Sequence, residues 1–163
     1  MLNIYTRDLL PERCITNAPE QTIIIAVNCV GAMGRGTALA IREKYPKLYH
    51  YYRQKCKSGE MHMNYLISAM VSDKQRVLLL PTKYDWKAKA LPEEIKRNID
   101  KLCSPETIET MKVESIATTY LGTGNGWIRG ETAMELHSYL EMALDNLGTV
   151  SYTHLRAHET HEN

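Results

Sequence analysis

The feature that most constrains this chain is the stretch Ala26-Val27-Asn28-Cys29-Val30-Gly31-Ala32-Met33-Gly34-Arg35-Gly36-Thr37-Ala38-Leu39-Ala40, where a β-branched strand passes through a glycine-spaced turn directly into a helix. Strand, glycine turn and helix in that order make a phosphate cradle. Glycines at 31, 34 and 36 allow positive φ and close approach of backbone to a ligand, and the free N–H groups that open the following helix attract anions. The spacing is neither G-x-x-x-x-G-K-[ST] nor a clean G-x-G-x-x-G, so a mononucleotide P-loop and an ordinary dinucleotide fold both fit poorly.

Strand-like and helix-like patterns alternate along the rest of the chain, which indicates an α/β layer fold. Asn3 to Thr6 and Thr22 to Val27 read as the first two strands, joined by the polar, proline-marked segment Pro11 to Gln21. Helical periodicity runs from Gly36 to Lys57, with Pro46 ending one helix and opening another, and Ser58-Gly59 stops it. Asn64 to Val71 and Arg76 to Leu80 read as strands that pair around the turn Ser72-Asp73-Lys74-Gln75. A helix opens at Pro92 and ends near Cys103, Val113 to Thr119 is a buried strand, and Glu131 to Leu144 is helical. No internal repeat is present.

At 163 residues, 44% hydrophobic and 24% charged, the chain is expected to be one domain with a core of its own. It carries no apolar run near the roughly 20 residues of a membrane span and no basic, apolar leader, so a cytoplasmic place is expected. Cys14, Cys29, Cys56 and Cys103 are scattered, which argues against a zinc ribbon and a disulfide framework. A net charge of +1 excludes a large electrostatic footprint for nucleic acid, so any such contact is local. Lys83, Lys87, Lys89, Lys96, Arg97 and Lys101 are the local candidates. Opposed by Asp85, Glu93, Glu94 and Asp100, they read first as a solvated helix face beside a basic loop.

Several residues could carry chemistry. Asp8 follows a strand, placing a carboxylate where open α/β sheets bind ligands, or simply capping a turn. Asn28 has donors and an acceptor for a ribose hydroxyl or a glycosidic oxygen, or for a turn. Lys83 follows a hydrophobic run and a proline, which brings its amine to a strand end. There, partial desolvation lowers a lysine pKa and makes it a nucleophile or an electrostatic stabiliser; the alternative is an exposed loop lysine. Trp86 and Trp127 could flank a ligand or a flipped base, or pack.

Taken together, five segments resemble the macrodomains, the ADP-ribose-binding α/β modules, over roughly residues 2 to 147. These are Ile4-Tyr5-Thr6-Arg7-Asp8-Leu9-Leu10, the glycine loop, the stretch MGRGTALAIREKYP followed by YYRQKCKSGEM, Leu79-Leu80-Pro81-Thr82-Lys83-Tyr84-Asp85-Trp86, and Tyr120-Leu121-Gly122-Thr123-Gly124-Asn125-Gly126-Trp127. The similarity is to the branch that holds the DarG antitoxin macrodomains and the terminal ADP-ribose protein glycohydrolase. It implies a three-layer fold, a mixed central sheet flanked by helices. It also implies adenine recognition by Asp8, with ligand contacts from Leu9, Gly31, Met33, Gly34, Arg35, Gly36 and Thr37. A second phosphate loop, Gly122, Thr123, Gly124, Asn125, Gly126 and Trp127, closes the other side. Asn28 orients the distal ribose, and Lys83 is the catalytic lysine of the P-T-K segment. The terminal glycohydrolase has an aspartate where this chain has Asn125-Gly126, which favours a DarG-like route that uses Lys83 without that acid.

The implied function is hydrolysis of ADP-ribosyl linkages on DNA bases or protein, with no metal and no cofactor. The rivals are a non-catalytic ADP-ribose reader, an ADP-ribose 1″-phosphate phosphatase, and a nucleotide-binding protein outside the family. Expected partners are ADP-ribose or an ADP-ribosylated macromolecule and an ADP-ribosyltransferase toxin, with no membrane, the protein itself being a monomer. Residues 1–149 are expected to form the macrodomain. Residues 150–163, containing Ser151-Tyr152-Thr153-His154-Leu155-Arg156-Ala157, resemble translated adaptor read-through and are expected to be non-native or disordered, overwriting a position where macrodomains carry a further strand. His154, His158 and His161 are accordingly not read as metal ligands.

Overall fold

A computed structural model describes residues 3–9, 15–34, 36–85, 87–118, 121, 128–146 and 151–157. Along the chain run β1 (Asn3–Leu9), a 3-10 turn (Ile15–Asn17), β2 (Thr22–Val27), α1 (Gly36–Lys44), α2 (Pro46–Lys57), β3 (Ile67–Met70) and β4 (Arg76–Pro81). Then follow α3 (Pro92–Leu102), α4 (Pro105–Met111), β5 (Ser115–Thr118), α5 (Gly130–Asp145) and β6 (Ser151–Ala157). The six strands form one sheet in the order β1-β6-β5-β2-β4-β3, all parallel except β3, which runs antiparallel to β4. This is the three-layer, mixed-sheet arrangement expected.

The layers follow from the strand sequences. Thr22-Ile23-Ile24-Ile25-Ala26-Val27 and Val77-Leu78-Leu79-Leu80 are apolar on both faces, as strands covered on both sides must be. Ile23, Ile25, Val27, Val77 and Leu79 face one core with Ile41 of α1 and Leu48 and Tyr52 of α2. Ile24, Leu78 and Leu80 face the other, with Ile95, Ile99 and Leu102 of α3, Ile108 of α4 and Leu136, Leu140 and Leu144 of α5.

Three boundaries differ from the sequence expectation. β3 begins at Ile67 because Met63-Asn64 form a turn, held by Asn98 Nδ2 donating to Met63 O at 2.8 Å and Lys101 Nζ donating to Asn64 O at 2.7 Å. α4 was not anticipated, although its start is written locally: the Ser104 hydroxyl accepts from the Thr107 N–H at 3.2 Å and Pro105 occupies the first turn.

The third difference is the largest. Residues 151–157, expected to be non-native or disordered, are ordered: they form β6 between β1 and β5, in register Asn3↔Ser151 to Leu9↔Ala157 on one side and Ser115↔Ser151 to Thr118↔His154 on the other. A slot between two parallel strands requires an extended backbone with free N–H and C=O groups more than any particular side chains. Among the described residues β1 pairs only with β6, so the C-terminal segment attaches β1 to the sheet.

Deleting residues 150–163 is therefore expected to remove the partner of β1 and to abolish the cooperative unfolding transition, because the lost pairing is comparable with the whole stability margin of about 5–15 kcal/mol. Thermal denaturation followed by circular dichroism checks this; a truncated protein with an unchanged midpoint contradicts it.

Candidate active site at the carboxyl edge of the sheet

The parallel strands end at a common edge, where open α/β sheets bind ligands. Val27 of β2 is in register with Pro81 of β4, and Leu9 of β1 with Ala157 of β6. Asp8 therefore lies at one end of this edge and Lys83 at the other. Four strand spacings of about 4.8 Å separate their strands by roughly 19 Å. An elongated ligand could touch both.

Asn28, the first residue beyond β2, is buried to 5% exposure. Its Oδ1 accepts the backbone N–H groups of Val30 at 3.0 Å, Gly31 at 3.1 Å and Ala32 at 3.2 Å, while Nδ2 donates to Ala32 O at 2.9 Å. Tyr52 of α2, fully buried, places its hydroxyl 2.8 Å from the same Oδ1 and 2.7 Å from Asn28 O. Burial pushes the Tyr52 pKa well above the usual phenol value, so the hydroxyl keeps its proton and donates. The carboxamide thus moulds the glycine loop, and one Nδ2 proton is left without a partner among the described residues.

Gly31 and Gly34, grouped together by the sequence reading, do different work. Gly31 adopts φ +88°, and a Cβ there would sit 3.2 Å from Arg53 Cγ. Gly34 has no positive φ and nothing within 4 Å of an added Cβ, so its use is open space beside the loop and not backbone freedom. Met33 is buried in the core beneath the loop, which makes it a packing residue as well as a loop residue. Thr37 lies in the first turn of α1.

Lys83 is 7% exposed, so the strand-end placement holds and the exposed-loop alternative does not. Its pKa lies below its ordinary value of 10.5 because burial penalises the ammonium, with the nearby Asp85 charge opposing the shift. Two backbone bonds join this segment to the glycine loop: Thr82 N–H donates to Val27 O at 3.0 Å, and Cys29 N–H donates to Tyr84 O at 2.8 Å. From below, the fully buried Asn98 of α3 donates to Pro81 O at 2.7 Å. Asp85 accepts the N–H groups of Lys87 and Ala88 at 2.8 and 3.0 Å, closing the turn that follows.

The structure thus brings Asn28, Gly31, Gly34, Thr82 and Lys83 to one end of the edge. Sequence reasoning missed Tyr52 and Asn98, polar residues within the apolar stripes of α2 and α3. Arg35, Trp86 and the second loop, Gly122 to Trp127, lie outside the described residues, as do the side chains of Asp8 and Leu9; Gly36 is the first residue of α1. The sequence's basic stretch is largely used internally: Lys96 pairs with Glu93, Arg97 with Glu94, and Lys101 with Asn64 O.

The Macro domain family model matches residues 24–137. The chain belongs to the macrodomain family. It is 28% identical over 120 residues to a DNA ADP-ribosyl glycohydrolase of Mycobacterium bovis (strain BCG / Pasteur 1173P2), covering 72% of this chain and 34% of that protein. The chain thus spans about a third of the length of the curated relatives it matches. Among solved structures, the macrodomain of Mycobacterium tuberculosis DarG aligns with a TM-score of 0.79 and 26% identity over 95% of this chain and 97% of that one. Thermosipho africanus DarTG in complex with ADP-ribose aligns with a TM-score of 0.77 and 23% identity, over 94% of this macrodomain and 41% of that chain, a likeness of fold.

In urea unfolding, Gly31→Ala is expected to destabilise this macrodomain by about 1–3 kcal/mol, from left-handed strain and the Arg53 contact. Gly34→Ala is expected to stay within about 0.5 kcal/mol, as at an unstrained surface position. Equal effects would contradict the separate roles of the two glycines.

Proposed function

We propose that this macrodomain binds ADP-ribose along the carboxyl edge of its sheet and hydrolyses the bond between the distal ribose and a DNA base. The observation that carries the reading is Lys83, an amine buried at the end of β4 and tied through backbone bonds to the glycine loop. The named activity of the 28%-identical mycobacterial relative and the DarG likeness support DNA over protein as the substrate.

In this reading Asp8 receives the adenine amino group at the far end, and the glycine loop with Leu9, Met33, Gly34, Arg35, Gly36 and Thr37 holds the diphosphate. Residues 122–127 close over it. The second Nδ2 proton of Asn28 serves a distal-ribose hydroxyl. The neutral Lys83 amine attacks the anomeric carbon as the bond to the base breaks, the electron pair leaving on the base nitrogen, which takes up a proton. Water then cleaves the lysine adduct, returning the free amine and ADP-ribose. No step requires a metal or cofactor. A partner ADP-ribosyltransferase toxin, an antitoxin role, a cytoplasmic place and a monomeric state belong to the same proposal; among the described residues no helix is long and apolar enough to cross a membrane.

ADP-ribose is expected to bind in the micromolar range, about 8 kcal/mol, and AMP far more weakly. Lys83→Ala is expected to abolish release of ADP-ribose from modified single-stranded DNA while leaving ADP-ribose affinity within about tenfold, since the amine acts at the reacting carbon. Binding without any turnover by the wild-type protein would leave a reader; turnover persisting in Lys83→Ala would remove the lysine from the mechanism.

The pH dependence has a fixed sign. With its folded-state pKa depressed, Lys83 loses its proton below 10.5, so kcat/KM is expected to rise with pH through that folded value and level off before 10.5. Between the folded and unfolded values the unfolded chain holds more protons, so this group's contribution to stability also rises with pH. A rate that falls with pH over that window contradicts a nucleophilic amine.

A further inference from the structure

The glycine loop has a second side. Its residues Val30 to Gly34 also wall a cavity of ≈ 370 Å³ whose lining is completed by Arg42 of α1 and by Tyr49 and Arg53 of α2. Lys83, Leu121 and Ile128 do not line it, so the cavity shares the glycine loop with the edge that holds the lysine but not the lysine itself. The guanidinium carbon of Arg42 lies 4.7 Å from the centre of the Tyr49 ring, and the stem of Arg53 rests against Gly31. Both arginine side chains are exposed.

The surroundings are unusually positive for this chain. From Gly36 to Lys57 six cationic residues stand against one acidic residue, Glu43, in a protein whose formal net charge is only +1, and of the six Lys55 pairs with Glu60 at 2.9 Å. The contrast is with α3, where Lys96 and Arg97 are paired with glutamates one turn away. Tyr49, Arg53 and Lys57 stand at i, i+4 and i+8 and so form one stripe along α2 leading out of the cavity. Guanidinium forks bind phosphodiester oxygens in pairs, and an aromatic face beside them accepts a base by stacking. An acidic peptide would find the charges but no use for the ring.

We propose that this cavity and the α2 stripe dock the backbone of single-stranded DNA next to the ADP-ribosylated nucleotide, Arg42 and Arg53 holding phosphates and Tyr49 a neighbouring base. The inference rests on the DNA hydrolase reading above and adds where the strand runs. Because the Cys29–Tyr84 backbone bond roots the loop beside Lys83, a base attached to the distal ribose at one side of the loop has its strand neighbours directed across Val30, which is 53% exposed, towards the arginines.

The test measures binding of a short, labelled, unmodified single-stranded oligonucleotide by fluorescence anisotropy across a salt series, with ADP-ribose calorimetry alongside. Arg42→Gln with Arg53→Gln keeps the aliphatic stems and removes the charges. Oligonucleotide affinity is expected to fall by about tenfold or more at low salt, and the log–log salt slope by about 1.4, as two lost phosphate contacts on a single strand require. ADP-ribose affinity should stay within about twofold. The Arg42→Lys, Arg53→Lys protein should recover the salt slope.

No oligonucleotide binding by the wild type, unchanged binding by the glutamine variant, or an equal loss of ADP-ribose affinity overturns the proposal. If the wild type binds the oligonucleotide through these arginines yet releases nothing from ADP-ribosylated DNA, the docking surface stands and the hydrolase reading falls.

Discussion

One carboxamide oxygen organises the ligand edge of this macrodomain. Asn28 Oδ1 gathers three successive backbone N–H groups and the hydroxyl of a fully buried tyrosine. A buried N–H left unpaired costs about 1–3 kcal/mol, so a loop that turns this sharply after a central strand needs such an acceptor. Four donors exceed the two lone pairs of an amide oxygen, which explains why the loop bonds are 3.0 to 3.2 Å and shared, not short. Because Tyr52 belongs to α2, the same network fixes that helix against the loop. The sheet edge that carries Lys83 and the basic cavity therefore share one loop, held at one point.

Against that loop the lysine is placed by hydrogen bonds to its backbone. The parallel pairing of β2 with β4, the Cys29–Tyr84 bond and the Asn98 bond to Pro81 leave the Thr82-Lys83 segment little freedom. The amine is thereby kept largely out of water, at a cost to its charged form that Asp85 only partly offsets. Burial of this kind is what a nucleophilic amine requires at neutral pH, and stability is commonly given up at such sites.

Much of the scaffold was legible because local chemistry and fold agree there. Thr22–Val27 announces β2 by a β-branched run broken only at Ala26, Pro46 marks the break between α1 and α2, and Pro92 the start of α3. The strand-end placement of Lys83 was offered by the apolar run and proline before it, beside an exposed-loop alternative that its burial excludes. β6 was not legible, since Ser151 to Ala157 lacks a core pattern and the slot between β1 and β5 selects backbone, not side chains. The difference between Gly31 and Gly34 was equally hidden, because it depends on Arg53, distant in sequence. Likewise Asn28 was read for what its carboxamide could offer a ribose. The turn reading also offered is the one its bonds to residues 30–32 show, and what was hidden is Tyr52, 24 residues on.

The central claim is that Lys83 forms a covalent bond to the anomeric carbon during turnover, and trapping that bond tests it most directly. The wild-type protein is mixed with single-stranded DNA bearing an ADP-ribosylated base, quenched with borohydride to reduce the ring-opened imine in equilibrium with the lysine–ribose adduct, digested and analysed by peptide mass spectrometry. The account predicts a reduced ADP-ribosyl adduct on the Lys83 peptide, absent from Lys83→Ala. Full turnover with no adduct on Lys83, or an adduct on another lysine, would contradict it.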